Sequence, residues 1–320
     1  MRVLVTGAEG FVGRRLVDVL QERGLSVLGS VRMPVVSSRP GVEILNLGDL
    51  RSSPQWGRAL RGVDAVIHLA ARAHVVDDQS KSPIAEFREV NVRPTVSLFQ
   101  ACQIAAVSRF VFVSSIGVNG VSTRGKPFSE LDEPNPSEAY GQSKWEAEQA
   151  LKELQKSGPT DVVIVRPALI YGPRARGNFL RLMHWIDRGR LIPVGSPSVT
   201  RSFLSLTHFC DLLARCITNV NAGNRLFLAA DPEPISLLAL VQTIAHLMNR
   251  PAKSVRISLP VLRLLGFLTG RNGEVSRLTA SLVVDSSKAR AILEWSRAGN
   301  SADDMQAMVD EYLRTENIGS

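Results

Sequence analysis

Thr6-Gly7-Ala8-Glu9-Gly10-Phe11-Val12-Gly13 (residues 6–13) follows the apolar run Val3-Leu4-Val5 and opens a stretch of helical spacing over residues 11–23. Each glycine answers a physical demand. One makes a tight turn, one lets the backbone approach a pyrophosphate, and one lets a helix pack close against a strand. The start of that helix adds free N–H groups and the positive end of a dipole. Glycines alone are weak evidence, but their place at the first strand-to-helix turn makes the pattern specific. Gly7, Gly10, Phe11, Val12 and Gly13 are therefore the expected dinucleotide cradle.

Outward from this turn, apolar strand patterns alternate with helical ones. Strands are expected at residues 3–6, 26–32, 64–70, 109–114 and 161–166, and helices at 11–23, 84–106 and 137–155. Such alternation predicts an α/β chain with a doubly wound, Rossmann-type parallel sheet. After about residue 170 the pattern loosens into short helices and Pro- and Gly-containing loops. Residues 1–170 are read as the NAD(P)-binding domain. Residues 171–320 are read as a smaller, mostly helical substrate lobe, interleaved with the last strands rather than independent.

The tip of the second expected strand reads Gly29-Ser30-Val31-Arg32. An acid at that place commonly binds the ribose hydroxyls of NAD, whereas an arginine accommodates the 2′-phosphate of NADP. With Arg32 and no acid, NADP(H) is favoured and NAD(H) stays open. Downstream, Tyr140 and Lys144 lie four apart at the start of a helix, so they share a face. An ammonium beside a phenol lowers its proton affinity, which would suit Tyr140 to general acid–base work on a hydroxyl/ketone pair. Ser114 and Ser115 end the strand RFVFV, where ligands of open parallel sheets bind.

Composition bounds the rest. The chain has 320 residues and a net charge of +8, with 6% aromatics. Its Lys and Arg residues are scattered, and no nucleic-acid fold signature is present, so no nucleic-acid partner is expected. A solvated basic surface accounts for most of the charge, and a cationic cleft for a phosphorylated substrate suits it equally well. Cys102, Cys210 and Cys216 lack metal-ligand spacing and read as free core thiols in a reducing, cytoplasmic setting, with no metal site. No run reaches the length of a membrane span. The nearest, residues 259–268, is read as a packed helix, with a peripheral membrane contact as the alternative.

These elements resemble the extended short-chain dehydrogenase/reductase family, which includes nucleotide-sugar epimerases, dehydratases and reductases. The resemblance covers residues 1 to about 312. It rests on TGAEGFVG, His68-Leu69-Ala70-Ala71, Asn91 with Thr95, FVSSIGVNG, YGQSK, Arg166-Pro167 and Tyr171-Gly172-Pro173. It implies Ser115, Tyr140 and Lys144 as catalytic and Asn91 as a buttress. It implies Asp49 and Leu50 near the adenine, and Leu69, Ala70, Ala71, Ser114 and Pro167 along the cofactor cleft, with Tyr140 and Lys144 also touching the cofactor. Asn178, Arg201 and Arg277 would hold the diphosphate of a UDP-linked sugar, since the arginine fork meets phosphate oxygens in pairs. A homodimer through a four-helix bundle, from residues 86–106 and 137–154 of each subunit, is the family expectation.

Departures from the family pattern narrow the chemistry. Ile116-Gly117 stands where dehydratases and decarboxylating relatives carry acids, which disfavours both. Val118-Asn119-Gly120 lacks the tyrosine of many 4-epimerases. The acid expected near Thr207-His208 is replaced, while Asp211 is retained. With GKPFSE and YGQSKWEAEQAL, the chain is similar to a UDP-glucose 4-epimerase-like bacterial subgroup that includes 4-ketoreductases forming UDP-N-acetylquinovosamine for O-antigen. The expected activity is reduction of a UDP-4-keto-6-deoxy-hexosamine. The rival is a UDP-sugar 4-epimerase that retains NAD. A non-catalytic NAD(P)-binding sensor is the third reading, opposed by the intact Ser115, Tyr140 and Lys144.

Overall fold

The computed structural model describes residues 1–33, 40–52, 55–73, 82–175, 177–194, 196, 198–257, 280–296 and 301–318. The expected helix at 259–268 lies outside them, as does Arg277.

The first part of the chain runs β1 (Arg2–Thr6), α1 (Phe11–Glu22), β2 (Ser26–Val31), β3 (Val42–Asn46), α2 (Trp56–Ala59), β4 (Ala65–His68), α3 (Pro83–Asn91), α4 (Arg93–Ile104), β5 (Arg109–Val113), α5 (Ala139–Gln155) and β6 (Asp161–Pro167). It continues with β7 (Leu169–Tyr171), α6 (Asn178–Asp187), β8 (Ile192–Val194), β9 (Thr200–Arg201), β10 (Phe203–Ser205), α7 (Leu206–Thr218) and β11 (Arg225–Ala229). Then come β12 (Ile235–Ser236), α8 (Leu237–Leu247), β13 (Ser254–Arg256), α9 (Ser287–Leu293) and α10 (Ser301–Ile318).

Seven strands form one parallel sheet in the order β11-β6-β5-β4-β1-β2-β3. This is the Rossmann-type arrangement expected, with β11 added at one edge. Both faces are covered. Val3, Val5, Ile67, Val111 and Val163 pack with Leu16 and Leu20 of α1 and Phe209 and Leu213 of α7. Leu4, Val66, Phe110, Phe112 and Ile164 point the other way, onto Leu98 and Phe99 of α4 and Leu151 of α5. The strand side-chain period of two divides the apolar residues between the layers, which is why these strands read as unbroken apolar runs. A separate core gathers Tyr171, Phe179, Met183, Leu240, Val241, Met308 and Tyr312 from β7, α6, α8 and α10.

One expected element divides. The helical spacing across residues 84–106 is carried by two helices, α3 and α4, that meet at Val92. Pro94 has no N–H to give to the preceding turn, so the regular ladder breaks there. The amphipathic period survives the break, which is why the sequence pattern hides it.

Buried polar groups tie the central strands to this helix pair. Thr6 Oγ1 accepts the backbone N–H groups of Leu69 and Ala70, both at 3.1 Å, so its own hydrogen goes to His68 Nδ1, 2.8 Å away. Thr95 gives its hydrogen to the Asn91 carbonyl at 2.7 Å. His68 Nε2, 2.9 Å from Thr95 Oγ1, must then be the donor. His68 is thus a neutral imidazole with both nitrogens used. Burial, helped by the nearby Lys144 charge, pushes it down to about 3.

That value lies below the roughly 6.5 of an unfolded histidine. The unfolded chain therefore binds a proton first as pH falls. The stabilisation is full above about pH 7 and is lost towards pH 3, at about 1.4 kcal/mol per pH unit. Urea unfolding at pH 7 and pH 5 should show His68→Asn losing about 2 kcal/mol less than the wild type over that interval. Equal losses would remove His68 as a source of acid sensitivity.

Candidate active site

Six of the seven parallel strands carry, at or just beyond their carboxyl ends, a residue singled out by the sequence. Gly7 follows β1, Arg32 follows β2, and Asp49 and Leu50 follow β3. Leu69 to Ala71 follow β4, Ser114 and Ser115 follow β5, and Pro167 closes β6. Strand order reverses between β1 and β4, the place where ligands of open α/β sheets bind.

The glycine turn has the shape its spacing implies. Gly7 has φ +69°, and a Cβ there would lie 3.2 Å from the Ala70 nitrogen. A Cβ on Gly13 would lie 2.1 Å from the Gly7 carbonyl oxygen and 2.8 Å from Ala8 Cα. Only a hydrogen fits. Gly10 caps α1 without any side-chain hydrogen bond, so the amides of the first helical turn remain available to an anion. The cradle therefore fits a dinucleotide pyrophosphate.

At the tip of β2, Arg32 is exposed. Asp49 is held by Arg51, whose Nε and Nη2 lie 3.0 and 2.6 Å from Oδ2. The Arg51 side chain and backbone, with a smaller contribution from the Arg32 charge, hold the Asp49 carboxyl down to about 2. Leu50 packs beside the core under α4.

The other end of the cleft is built on α5. Tyr140 stands in its first turn, half-buried, with its ring 5.9 Å from that of Phe87. Lys144 is buried one turn on. Its ammonium donates to the Val113 carbonyl at 2.9 Å, and it lies 4.7 Å from the Phe112 ring and 5.9 Å from the Tyr140 ring. Ser115 caps the short 3-10 turn Ile116–Val118 by accepting the Gly117 N–H at 3.1 Å. Gly141 touches the same turn closely, since a Cβ there would sit 2.7 Å from the Gly117 oxygen. Helix start and serine turn thus share one contact.

Asn91 braces this arrangement. Its Nδ2 donates to Ser143 Oγ and to the Arg72 carbonyl, both at 3.1 Å, and its Oδ1 accepts the Arg72 N–H at 2.8 Å. Ser143 passes its hydrogen to the Tyr140 carbonyl at 2.8 Å. The loop after β4 is thereby tied to the turn that carries Tyr140.

Burial acts on both members of the pair: desolvation pushes Tyr140 up to about 12. Desolvation also takes Lys144 down to about 7, against the opposing charge of Glu148. Ser114, expected along the cofactor cleft, turns its hydroxyl into the interior, where it donates to Glu148 at 2.5 Å. The sequence reading had not singled out Glu148, although its signal was present four residues beyond Lys144.

Of the diphosphate-binding candidates, Asn178 and Arg201 lie among the described residues. Asn178 is the exposed first residue of α6 and accepts from Arg181 at 3.3 Å. Arg201 is half-buried on β9 and donates to the Ala280 carbonyl at 3.1 Å. No helix among the described residues is long and apolar enough to cross a membrane.

Comparison with known proteins agrees with this architecture. The model of the NAD dependent epimerase/dehydratase family matches residues 3–230. The chain belongs to that family. Family members similar to it include a UDP-glucose 4-epimerase from Vibrio cholerae, 34% identical over 98% of this chain and 96% of that protein. An N-acetyl-alpha-D-glucosaminyl-diphospho-ditrans,octacis-undecaprenol 4-epimerase from Escherichia coli O157:H7 is 30% identical, over 86% of this chain and 82% of that one. The fold matches a UDP-glucuronic acid 4-epimerase from Bacillus cereus, solved with UDP-glucuronic acid and NAD, at a TM-score of 0.82 and 21% identity, over 98% and 100% of the two chains.

Gly13→Ala tests the cradle of this family member. The added methyl meets backbone rather than a movable side chain, so about 3 kcal/mol of stability should be lost. Calorimetric binding of NAD and NADP should fall below detection in the protein that still folds. Unchanged cofactor affinity would contradict the close approach of α1 to the Gly7 turn.

Proposed function

We propose that the chain is an NADP(H)-dependent 4-ketoreductase acting on a UDP-linked 4-keto-6-deoxy-hexosamine. The observation that carries this reading is the tip of β2, where exposed Arg32 stands and no acid does. An arginine there suits a 2′-phosphate, and an acid would have suited a free ribose hydroxyl. A reductase that exchanges its cofactor at each turnover fits this tip. The names of the two curated relatives share a sugar carried on a diphosphate, which supports a diphosphate-linked substrate.

The glycine turn would hold the pyrophosphate, Arg32 the 2′-phosphate, and Lys144 the nicotinamide ribose. When bound, the nicotinamide exchanges hydride with the sugar carbon. Tyr140, a protonated phenol at neutral pH, gives its proton to the carbonyl oxygen as that oxygen becomes an alkoxide. Ser115 hydrogen-bonds the same oxygen and orients it. The Lys144 ammonium stabilises the phenolate left behind. Asn178, Arg201 and Arg277 are proposed to hold the diphosphate and so select the face of the sugar presented. A homodimer through α3 to α5 is proposed on the family likeness alone.

A second reading, a UDP-sugar 4-epimerase, is favoured by the full-length likeness to the Vibrio cholerae enzyme. It uses the same residues, with Tyr140 starting as the phenolate held by the Lys144 ammonium, taking the sugar hydroxyl's proton and later returning it. Denaturing the purified protein and weighing the released nucleotide separates the two. An empty site with NADPH consumption on a UDP-4-keto-6-deoxy-N-acetylhexosamine supports the reductase. Stoichiometric NAD and no NADPH consumption overturn it in favour of the epimerase.

Two substitutions sharpen the assignment. Tyr140→Phe should lower kcat by about 10²- to 10⁴-fold with cofactor Kd unchanged, and full activity would remove Tyr140 from the chemistry. Arg32→Ala should weaken NADPH by about ten-fold or more through one lost charge-assisted contact, leaving NADH untouched. Equal weakening of both cofactors would refute the 2′-phosphate role.

A further inference from the structure

Beneath the catalytic helix lies an ion pair sealed from solvent. Glu148 and Arg166 expose 0% and 1% of their side chains. Arg166 Nη2 lies 2.5 Å from Glu148 Oε2, and its Nε lies 2.9 Å from Oε1. Its Nη1 donates to Asn119 Oδ1 at 2.9 Å. Ser114 adds its hydroxyl to the same carboxylate. A buried pair of this kind is a poor source of stability, because desolvation offsets most of the attraction and apolar residues of similar volume often serve as well. Its presence here calls for another reason.

Four positions before Glu148, on the same helix face, stands Lys144. The groups around that ammonium come from several elements. Helix α5 supplies Tyr140 and Glu148, β4 supplies His68 in its neutral form, and β6 supplies Arg166 through its pairing with Glu148. β5 supplies the neutral Val113 carbonyl and the Phe112 ring, and the residue after it supplies the Ser114 hydroxyl. Of these, Glu148 is the group whose charge favours an ammonium against burial.

We propose that Glu148 is a positioning residue: its carboxylate, locked by Arg166 and Ser114, keeps Lys144 charged beside Tyr140. The same chain of hydrogen bonds runs through Asn119 and Ser114 to both ends of the turn that carries Ser115. It therefore couples the charge on α5 to the place of the serine. The inference rests on the reading of Lys144 and Tyr140 as the proton-handling pair.

The test needs neither substrate nor turnover. Lysine labelled with ¹³C at the ε carbon is incorporated, the Lys144 signal is assigned by its loss in Lys144→Arg, and its titration is followed by NMR. In Glu148→Gln the midpoint should fall by about one pH unit or more, as expected for losing an opposite charge one helical turn away. The double variant Glu148→Gln/Arg166→Gln removes both charges of the buried pair together, and it should fold and show a fall in the same direction. Glu148→Asp keeps the charge and should hold the midpoint near the wild type. A midpoint unchanged in the folded double variant, or one that falls equally in Glu148→Asp, overturns the proposal. In the active enzyme the descending limb of the kcat–pH profile should move to lower pH with Glu148→Gln, because the charged Lys144 is lost earlier as pH rises. Failure of the reductase and epimerase readings would show as absent turnover with the Lys144 titration still shifted, so the two failures remain distinct.

Discussion

The hydrogen that Gly13 carries in place of a side chain sets the distance between α1 and the turn after β1. With the Gly7 carbonyl 2.1 Å from where a Cβ would sit, α1 cannot dock there with any other residue. That closeness aims the uncapped helix start across the carboxyl end of the sheet. It also places Gly7 against Ala70, so the loops after β1 and β4 form one wall. The cleft at the reversal of strand order depends on this contact, because a displaced α1 would carry its amides away from the strand ends.

Polar groups inside the molecule then bind that wall to α5. Thr6, His68, Thr95 and Asn91 form a chain in which each hydrogen has one destination. Such networks are stable when every member is satisfied and costly when one is missing. The chain ends at Ser143 and the Tyr140 carbonyl, so the wall beside the glycine turn and the start of α5 are joined by one hydrogen-bonded network. Beneath them the Glu148–Arg166 pair contributes charge in a place where water cannot. The same burial acts oppositely on the two candidate proton carriers. It favours the neutral phenol of Tyr140 and the neutral amine of Lys144, and only a fixed charge or a bound ligand can offset that tendency.

The sequence pattern was legible where a local period or a local steric demand governs. The glycine turn, the alternation of strands and helices, and the Tyr140–Lys144 pair on one helix face belong to this kind. It was misleading at residues 84–106, where an unbroken period ran across the Pro94 break. It was silent on Ser114, because a serine at a strand end can face either the cleft or the interior. The neighbour that decides between them, Glu148, is 34 positions away.

The parallel α/β plan and the residues placed at the strand ends follow from local sequence, since side-chain periods of 2 and 3.6 and the steric needs of glycine are properties of short segments. The electrostatics of the site and the return of β11 to the edge of the sheet arise only when distant parts of the chain come together. A proton affinity depends on every atom that excludes water from the group and on charges brought near it by distant parts of the chain. Tyr140 and Lys144 are neighbours on a helix in any fold, but the phenol and amine they present are set by Phe87, Phe112, Val113 and Glu148, which the folded sheet and its helices assemble around them.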